Sequence, residues 1–289
     1  MSAAAFDRKP AKVAAIARIL RDPMGALGIF LVLVMLTGAI FADLFSLYEP
    51  HAISPRDRFS EPSLEHLLGT DHLGRDLFSR VLHGSRIALS VALFSIAVSL
   101  VIGIALGLIA GYGPHWLDNS MLLLFDSIKS FPTVMLALAL VTISGPSLTA
   151  VIIVVVLVKM PEYARIIRTQ TLALKESEFV AAAVSLGAGT PRILRVHIMP
   201  NVIGPLLILA SMDIPVVIAI EAGMSFLGLG VRPPTPSWGA ILNDGYAAIR
   251  ETPWIVIAGG LPIIITTLGF TFLGETLRDV FDPRLKGRR

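Results

Sequence analysis

Four ionisable residues stand inside stretches that are otherwise apolar. Asp126 and Lys129 lie in SMLLLFDSIKSFPTVMLALALVTISG, and Asp213 and Glu221 lie in the long run after Pro200. At the centre of a membrane helix a charge costs about 2.5–3.5 kcal/mol, while each Leu, Ile, Phe or Val returns only roughly 0.3–0.6 kcal/mol. Charges kept at that cost face a water-filled path or pair across helices. Asp126 and Lys129 are three residues apart and can pair on one helix, and Lys159 and Glu162 repeat that spacing. Asp213 and Glu221 have no such neighbour, which makes them the stronger candidates for facing a path or another helix. Carboxylates so placed also suit the proton or ion relay of a secondary transporter working alone.

Other chemistry is excluded by what is missing. There is no G-x-x-x-x-G-K-[ST], no H-E-x-x-H and no G-x-S-x-G, cysteine is absent, and the six histidines are scattered. No catalytic residue, no metal site and no cofactor are therefore expected on this chain, which reads as a non-enzyme. If ATP drives it, another chain binds the nucleotide. The net charge of +3 and pI near 9.4 would suit nucleic acid, but 54% of residues are hydrophobic, only 16% are charged and mean hydropathy is +0.76. A membrane protein with basic cytoplasmic loops accounts for both the charge and the hydropathy, with lipid and not nucleic acid as its surroundings.

The elements that must hold these residues are helices of about 20 apolar residues. Spans are expected near 25–45, 86–112, 120–143, 148–167, 201–222 and 255–277, giving an all-α integral membrane protein with six transmembrane helices. The first run is too long for the core of a cleaved signal and reads as an uncleaved span. A short surface helix is expected over 11–21, where Val13, Ile16 and Leu20 share a face. Lys and Arg collect in the first tail, in 168–200 and in the closing DPRLKGRR, so both termini are expected in the cytoplasm. The loop 46–85, with Arg56, Arg58, Arg75 and Arg80, runs against that count. Within it, TDHLGRDLFSRVLHGSR reads as an amphipathic helix capped by Thr70 or Asp71 and leading into the second span.

The stretch EFVAAAVSLGAGTPRILRVHIMP, 178–200, is more specific than a connector needs to be. A short helix with Phe179, Ala182, Ala183 and Leu186 on one side is expected to end at Gly187 or Gly189, which accept positive φ. Pro191 then suits the first turn of a new helix, and Pro200 introduces the fifth span. The small apolar face is a plausible docking knob for a soluble partner.

This stretch resembles the cytoplasmic EAA loop of permease subunits of bacterial ATP-binding-cassette importers. Its frame is Glu-Ala-Ala, a Gly four positions after the second Ala, and an ending in Ile and Pro. Ala181-Ala182-Ala183, Gly187 and His197-Ile198-Met199-Pro200 match it, with one departure: Ala181 stands where the family has Glu. Glu178 lies one turn earlier and cannot simply be assumed to substitute for it. Two more stretches, LGTDHLGRDLFSRVLHGSR (68–86) and EAGMSFLGLGVRPPTPSWGAIL (221–242), narrow the resemblance to the C-type permease of the dipeptide, oligopeptide and nickel importers.

The resemblance implies a type I importer permease fold in the bacterial inner (cytoplasmic) membrane. It also implies a homologous second permease completing the pathway, two ATPases carrying ATP and Mg²⁺, and an extracytoplasmic substrate-binding protein. It assigns ATPase coupling to Glu178, Ala181, Ala182, Ala183, Gly187 and Pro200. The chain then divides into 1–85 (tail, first span and outer loop), 86–278 (five-helix permease domain with its coupling loop at about 175–200) and 279–289 (basic tail). Dipeptides or oligopeptides are the expected cargo, with a nickel chelate or another solute as alternatives.

Overall fold

The computed structural model describes residues 19–281, and those residues are helical with no strand. Most of the surface helix expected over 11–21, and the closing tail after Phe281, lie outside the described residues. Helix α1 is Pro23–Ile40, with Asp22 at its N-cap accepting from the Gly25 amide. Helix α2, Leu77–Tyr112, runs 36 residues without a break, about 54 Å at about 1.5 Å per residue. Next come α3 (His115–Lys129), α4 (Thr133–Ser144), α5 (Leu148–Lys175), the short α6 (Glu178–Ser185), α7 (Met199–Phe226), α8 (Trp238–Ala247) and α9 (Trp254–Phe281).

Among the described residues, four helical runs are long and apolar enough to cross a membrane: Pro23–Ile40, Leu77–Tyr112, Thr190–Phe226 and Trp254–Val280. A fifth is counted if α3 and α4 are taken as one broken span. The straight helix expected over 120–143 does not form. Pro132 has no amide hydrogen to donate and disfavours helical geometry at Phe131, so the chain turns by 87° between α3 and α4. The helix expected over 148–167 is longer than that, and its second half carries Lys159, Glu162, Arg165 and Arg168.

The amphipathic helix expected from Thr70 begins later. Asp76, not Thr70 or Asp71, caps α2 by accepting from the Ser79 amide at 2.7 Å. Residues 70–76 form a closed loop instead. Asp71 Oδ1 accepts from the Leu73 and Arg75 amides, Thr70 and Asp76 bridge, and Gly74 turns the chain at φ +75°.

The centre of the fold is the pair α2 and α5. Gly103, Gly107 and Gly111 of α2 recur every four residues along one face. A methyl at these positions would meet Tyr163 Cβ at 2.8 Å, the Ala164 carbonyl at 2.5 Å and Thr171 Cβ at 2.7 Å. This is the small-residue packing that lets membrane helices approach without hydrophobic drive. Buried Val151, Val154, Val155, Ile167, Val202, Leu206, Val217 and Ile218 extend the core into α5 and α7.

At one end of these helices the loop 46–76 and the segment 227–253 form a collar. Trp238 is fully buried there and donates from Nε1 to the Val81 carbonyl at 3.0 Å. Arg75 lies between Asp71 (2.6 Å) and Asp244 (3.4 Å), tying the loop to α8.

Candidate functional site

The segment 178–200 lies at the end of the α2–α5–α7 unit opposite the collar. Helix α6 starts at Ser177, whose hydroxyl donates to the Leu174 carbonyl of α5. It ends in a Schellman closure: the Gly187 amide donates to Val184 O (2.9 Å) and the Ala188 amide to Ala183 O (3.0 Å). Gly187 takes φ +83°, the conformation that favours glycine. After the break, the run from Thr190 includes one wide turn, Ile193–Ile198, directly before Pro200. Such a turn accommodates a proline that lacks a donor and crowds the carbonyl four residues back. Pro200 therefore sits inside a continuous helical run and does not interrupt it.

Only one side of α6 is held by the fold. Val180 and Ala183 are buried and α6 packs against the wide turn, whose Ile193 and Ile198 are buried as well. Glu178, Phe179, Ala181, Ala182 and Val184 are exposed, and Leu186 is 89% exposed. This corrects the sequence grouping: Ala183 anchors the helix from within, while Phe179, Ala182 and Leu186 form the open face. Beside that face Ala183, Leu186, Gly187, Arg192 and His197 line a cleft of about 390 Å³.

The membrane charges gather on α5. Asp126 and Lys129 do not pair with each other, because α3 runs antiparallel to α5 and both side chains reach across to it. Asp126 pairs with Arg165, and Lys129 Nζ donates to Glu162 Oε1. Lower on the same edge Arg168 forms a two-pronged pair with Asp118. Lys159 does bond Glu162, at 3.1 Å, and also donates to Asp213 Oδ1 of α7 at 2.7 Å. The second Asp213 oxygen accepts from the Tyr163 hydroxyl at 2.8 Å. Asp213 thus has its partners on another helix. Glu221 is fully buried, with Oε1 accepting from Ser225 Oγ at 2.8 Å and Oε2 left without a hydrogen bond among the described residues. The sequence reading missed Asp118, Tyr163, Arg165 and Arg168 as partners, although the polar spacing of the second half of α5 carries that signal.

At the collar, ligand atoms of Asp71, His72 and Asp244 converge within 4.8 Å. Arg75 bridges the two carboxylates there, so a side-chain cation already occupies the charge balance. Burial pushes the Asp244 carboxyl above its ordinary value, opposed by His72, Arg75 and Arg80.

These features define a multi-pass helical membrane protein with an internal charge network and a short helix presented at one end. The chain matches the family of binding-protein-dependent transport system inner membrane components over residues 103–287, and it belongs to that family. It is 37% identical to the dipeptide transport system permease protein DppC of Alkalihalophilus pseudofirmus, over 92% of this chain and 88% of that one. It is 39% identical to the glutathione transport system permease protein GsiD of Pectobacterium atrosepticum, over 93% and 90%. Its fold is similar to a chain of the inward-facing MetNI methionine ABC transporter, with a TM-score of 0.57 at 18% identity, covering 70% of this chain and 97% of that one. The chain is a permease subunit of an ATP-binding-cassette importer, a component of a multi-subunit system and not an ion-coupled transporter working alone.

Proposed function

We propose that this permease forms half of a translocation pathway for short peptides, pairing with a homologous permease in the bacterial inner membrane with both termini in the cytoplasm. Two ATPases, carrying ATP and Mg²⁺, bind the segment 175–200, and an extracytoplasmic binding protein delivers the peptide at the collar. The observation that carries this reading is the open face of α6: an eight-residue helix, fixed from behind by Val180 and Ala183, that leaves Phe179, Ala182 and Leu186 uncovered beside a cleft. Exposed apolar side chains on a helix fixed from behind form a surface shaped for another chain. Peptide cargo is supported by relatives named for dipeptide and glutathione transport. Glu178, Ala181 and Gly187 shape the open face, while Ala183 and Pro200 set its angle. The chain itself carries out no catalysis and binds no nucleotide.

The test is uptake of a labelled dipeptide by proteoliposomes containing this chain with its second permease, ATPases and binding protein. Uptake is expected to require ATP and to be competed by unlabelled peptides. Uptake by this chain alone on an ion gradient would overturn the assignment, and ATP-driven uptake that peptides fail to compete would overturn the cargo.

A further inference from the structure

Residues Lys129, Glu162, Lys159, Asp213 and Tyr163 form one connected set across three helices. Lys129 is the last residue of α3, immediately before the Ser130–Pro132 bend that turns the chain by 87° into α4. Lys159, Glu162 and Tyr163 flank Pro161 on α5, and Asp213 stands two residues before Pro215 on α7. Each member of the set therefore lies within three residues of a proline, the residue at which helices most often kink. Helices α5 and α7 are also the two that enter and leave the segment 175–200. Displacement of that segment must pass along both, and the set is where both are fastened to the bend.

The charges add to a balanced chain: Lys129 on Glu162, Glu162 on Lys159, Lys159 on Asp213, with Tyr163 completing Asp213. Lys159 is 5% exposed, so it has no solvent to substitute for a lost carboxylate. The Lys129–Glu162 contact is more open on both sides. The set is thus firmly closed between α5 and α7 and accessible at the bend, which suits a joint that transmits movement to α3 and α4 while keeping the α5–α7 pair intact.

We propose that Lys129, through Glu162, Lys159 and Asp213, is a positioning residue that transmits movement of the 175–200 segment to the bent pair α3–α4, which acts as the moving wall of the pathway. This rests on the coupling reading of 175–200 given above. The complete transporter in proteoliposomes, carrying Lys129→Met or Lys129→Arg, tests it. Lys129→Met is expected to insert and hydrolyse ATP but to lower peptide taken up per ATP by roughly tenfold, the scale of an ordinary coupling between sites, and Lys129→Arg to restore it. Because the chain has no cysteine, spin labels on single cysteines at Leu138 of α4 and Tyr246 of α8 read the bent pair directly. Their distance is expected to change on ATP binding in the wild type and to stay fixed in Lys129→Met. A retained distance change, or Met serving as well as Lys, overturns the proposal. Ala182→Asp in the same preparation reads the coupling segment separately. Normal uptake there overturns the coupling reading and this proposal with it, whereas uncoupling by Ala182→Asp with an unaffected Lys129→Met overturns the proposal alone.

Discussion

At the collar, a methyl on Gly74 would sit 1.8 Å from the Ser54 carbonyl oxygen, whereas a methyl on Gly187, at the other end of the same helices, would meet nothing within 4 Å among the described residues. Both glycines take positive φ, +75° and +83°. The backbone demand is the same and the surroundings are opposite. Around Gly74 the chain is closed on itself, with Asp71, Arg75, Arg80 and Trp238 all buried. Around Gly187 it stops at a bare helix end with Leu186 turned outward. The collar is closed by its own packing, while the open end at Gly187 is the one to which the coupling reading assigns the ATPases.

The comparison breaks most visibly if the two glycines are made alanine. Gly74→Ala is expected to destabilise by more than about 4 kcal/mol, the range reached only when backbone strain and a hard clash combine. In detergent the variant should melt far below the wild type or fail to accumulate. Arg75→Met comes next, at about 1–3 kcal/mol, because it removes the cation that Asp71 and Asp244 share and leaves Asp71 with Arg80 at 3.6 Å. Thermal melting followed by Trp fluorescence reads both, and a loss under 1 kcal/mol for either would remove the claim that the collar is the rigid end. Gly187→Ala should cost only the left-handed strain of about 1–2 kcal/mol, and Gly187→Asn less, since Asn tolerates that conformation.

The Asp244 carboxyl sharpens the same contrast through pH. Burial holds its folded-state value above the unfolded one, so the folded protein keeps the proton longer. Stability from this group is therefore fully present below the ordinary carboxylate value and is lost as pH rises through the raised one. Melting temperature measured across that window should fall with rising pH in the wild type and lose that component in Asp244→Asn.

How far these arrangements were legible in the sequence follows from how local their causes are. The break at Gly187 was readable because a Schellman closure is written in adjacent residues. The bend before α4 was visible only as Pro132. The contact beside it, Lys129 on Glu162, joins residues thirty-three apart and has no local signature. The partners of Asp126 and Lys129 were out of reach for the same reason: i,i+3 spacing shows that a pair is possible and says nothing of a closer competitor on a neighbouring helix. Capping of α2 was placed too early because Asp71 looks like a cap until Gly74 turns the loop back on it. The Gly103, Gly107, Gly111 period was present in the sequence and went unused. It is the element that lets α2 lie close against α5.

The smallest effects on stability are expected on the open face, and there function must separate from folding. Ala182→Asp adds a charge to an exposed site and should change stability by less than about 0.5 kcal/mol, yet it should abolish peptide uptake while ATP hydrolysis continues, because the charge enters the surface that the coupling reading assigns to the ATPases. Wild-type transport in a well-inserted Ala182→Asp variant would count against the docking face itself. Ala181→Glu is the finer probe. Its neighbour on the same exposed side, it restores the residue that the resembling family carries, and its side chain would leave α6 on the side away from Val180 and Ala183. Transport is expected to hold at or above the wild-type rate. Two carboxylates introduced one residue apart, both on solvent, should therefore give opposite outcomes, which a general intolerance of negative charge on α6 would not produce.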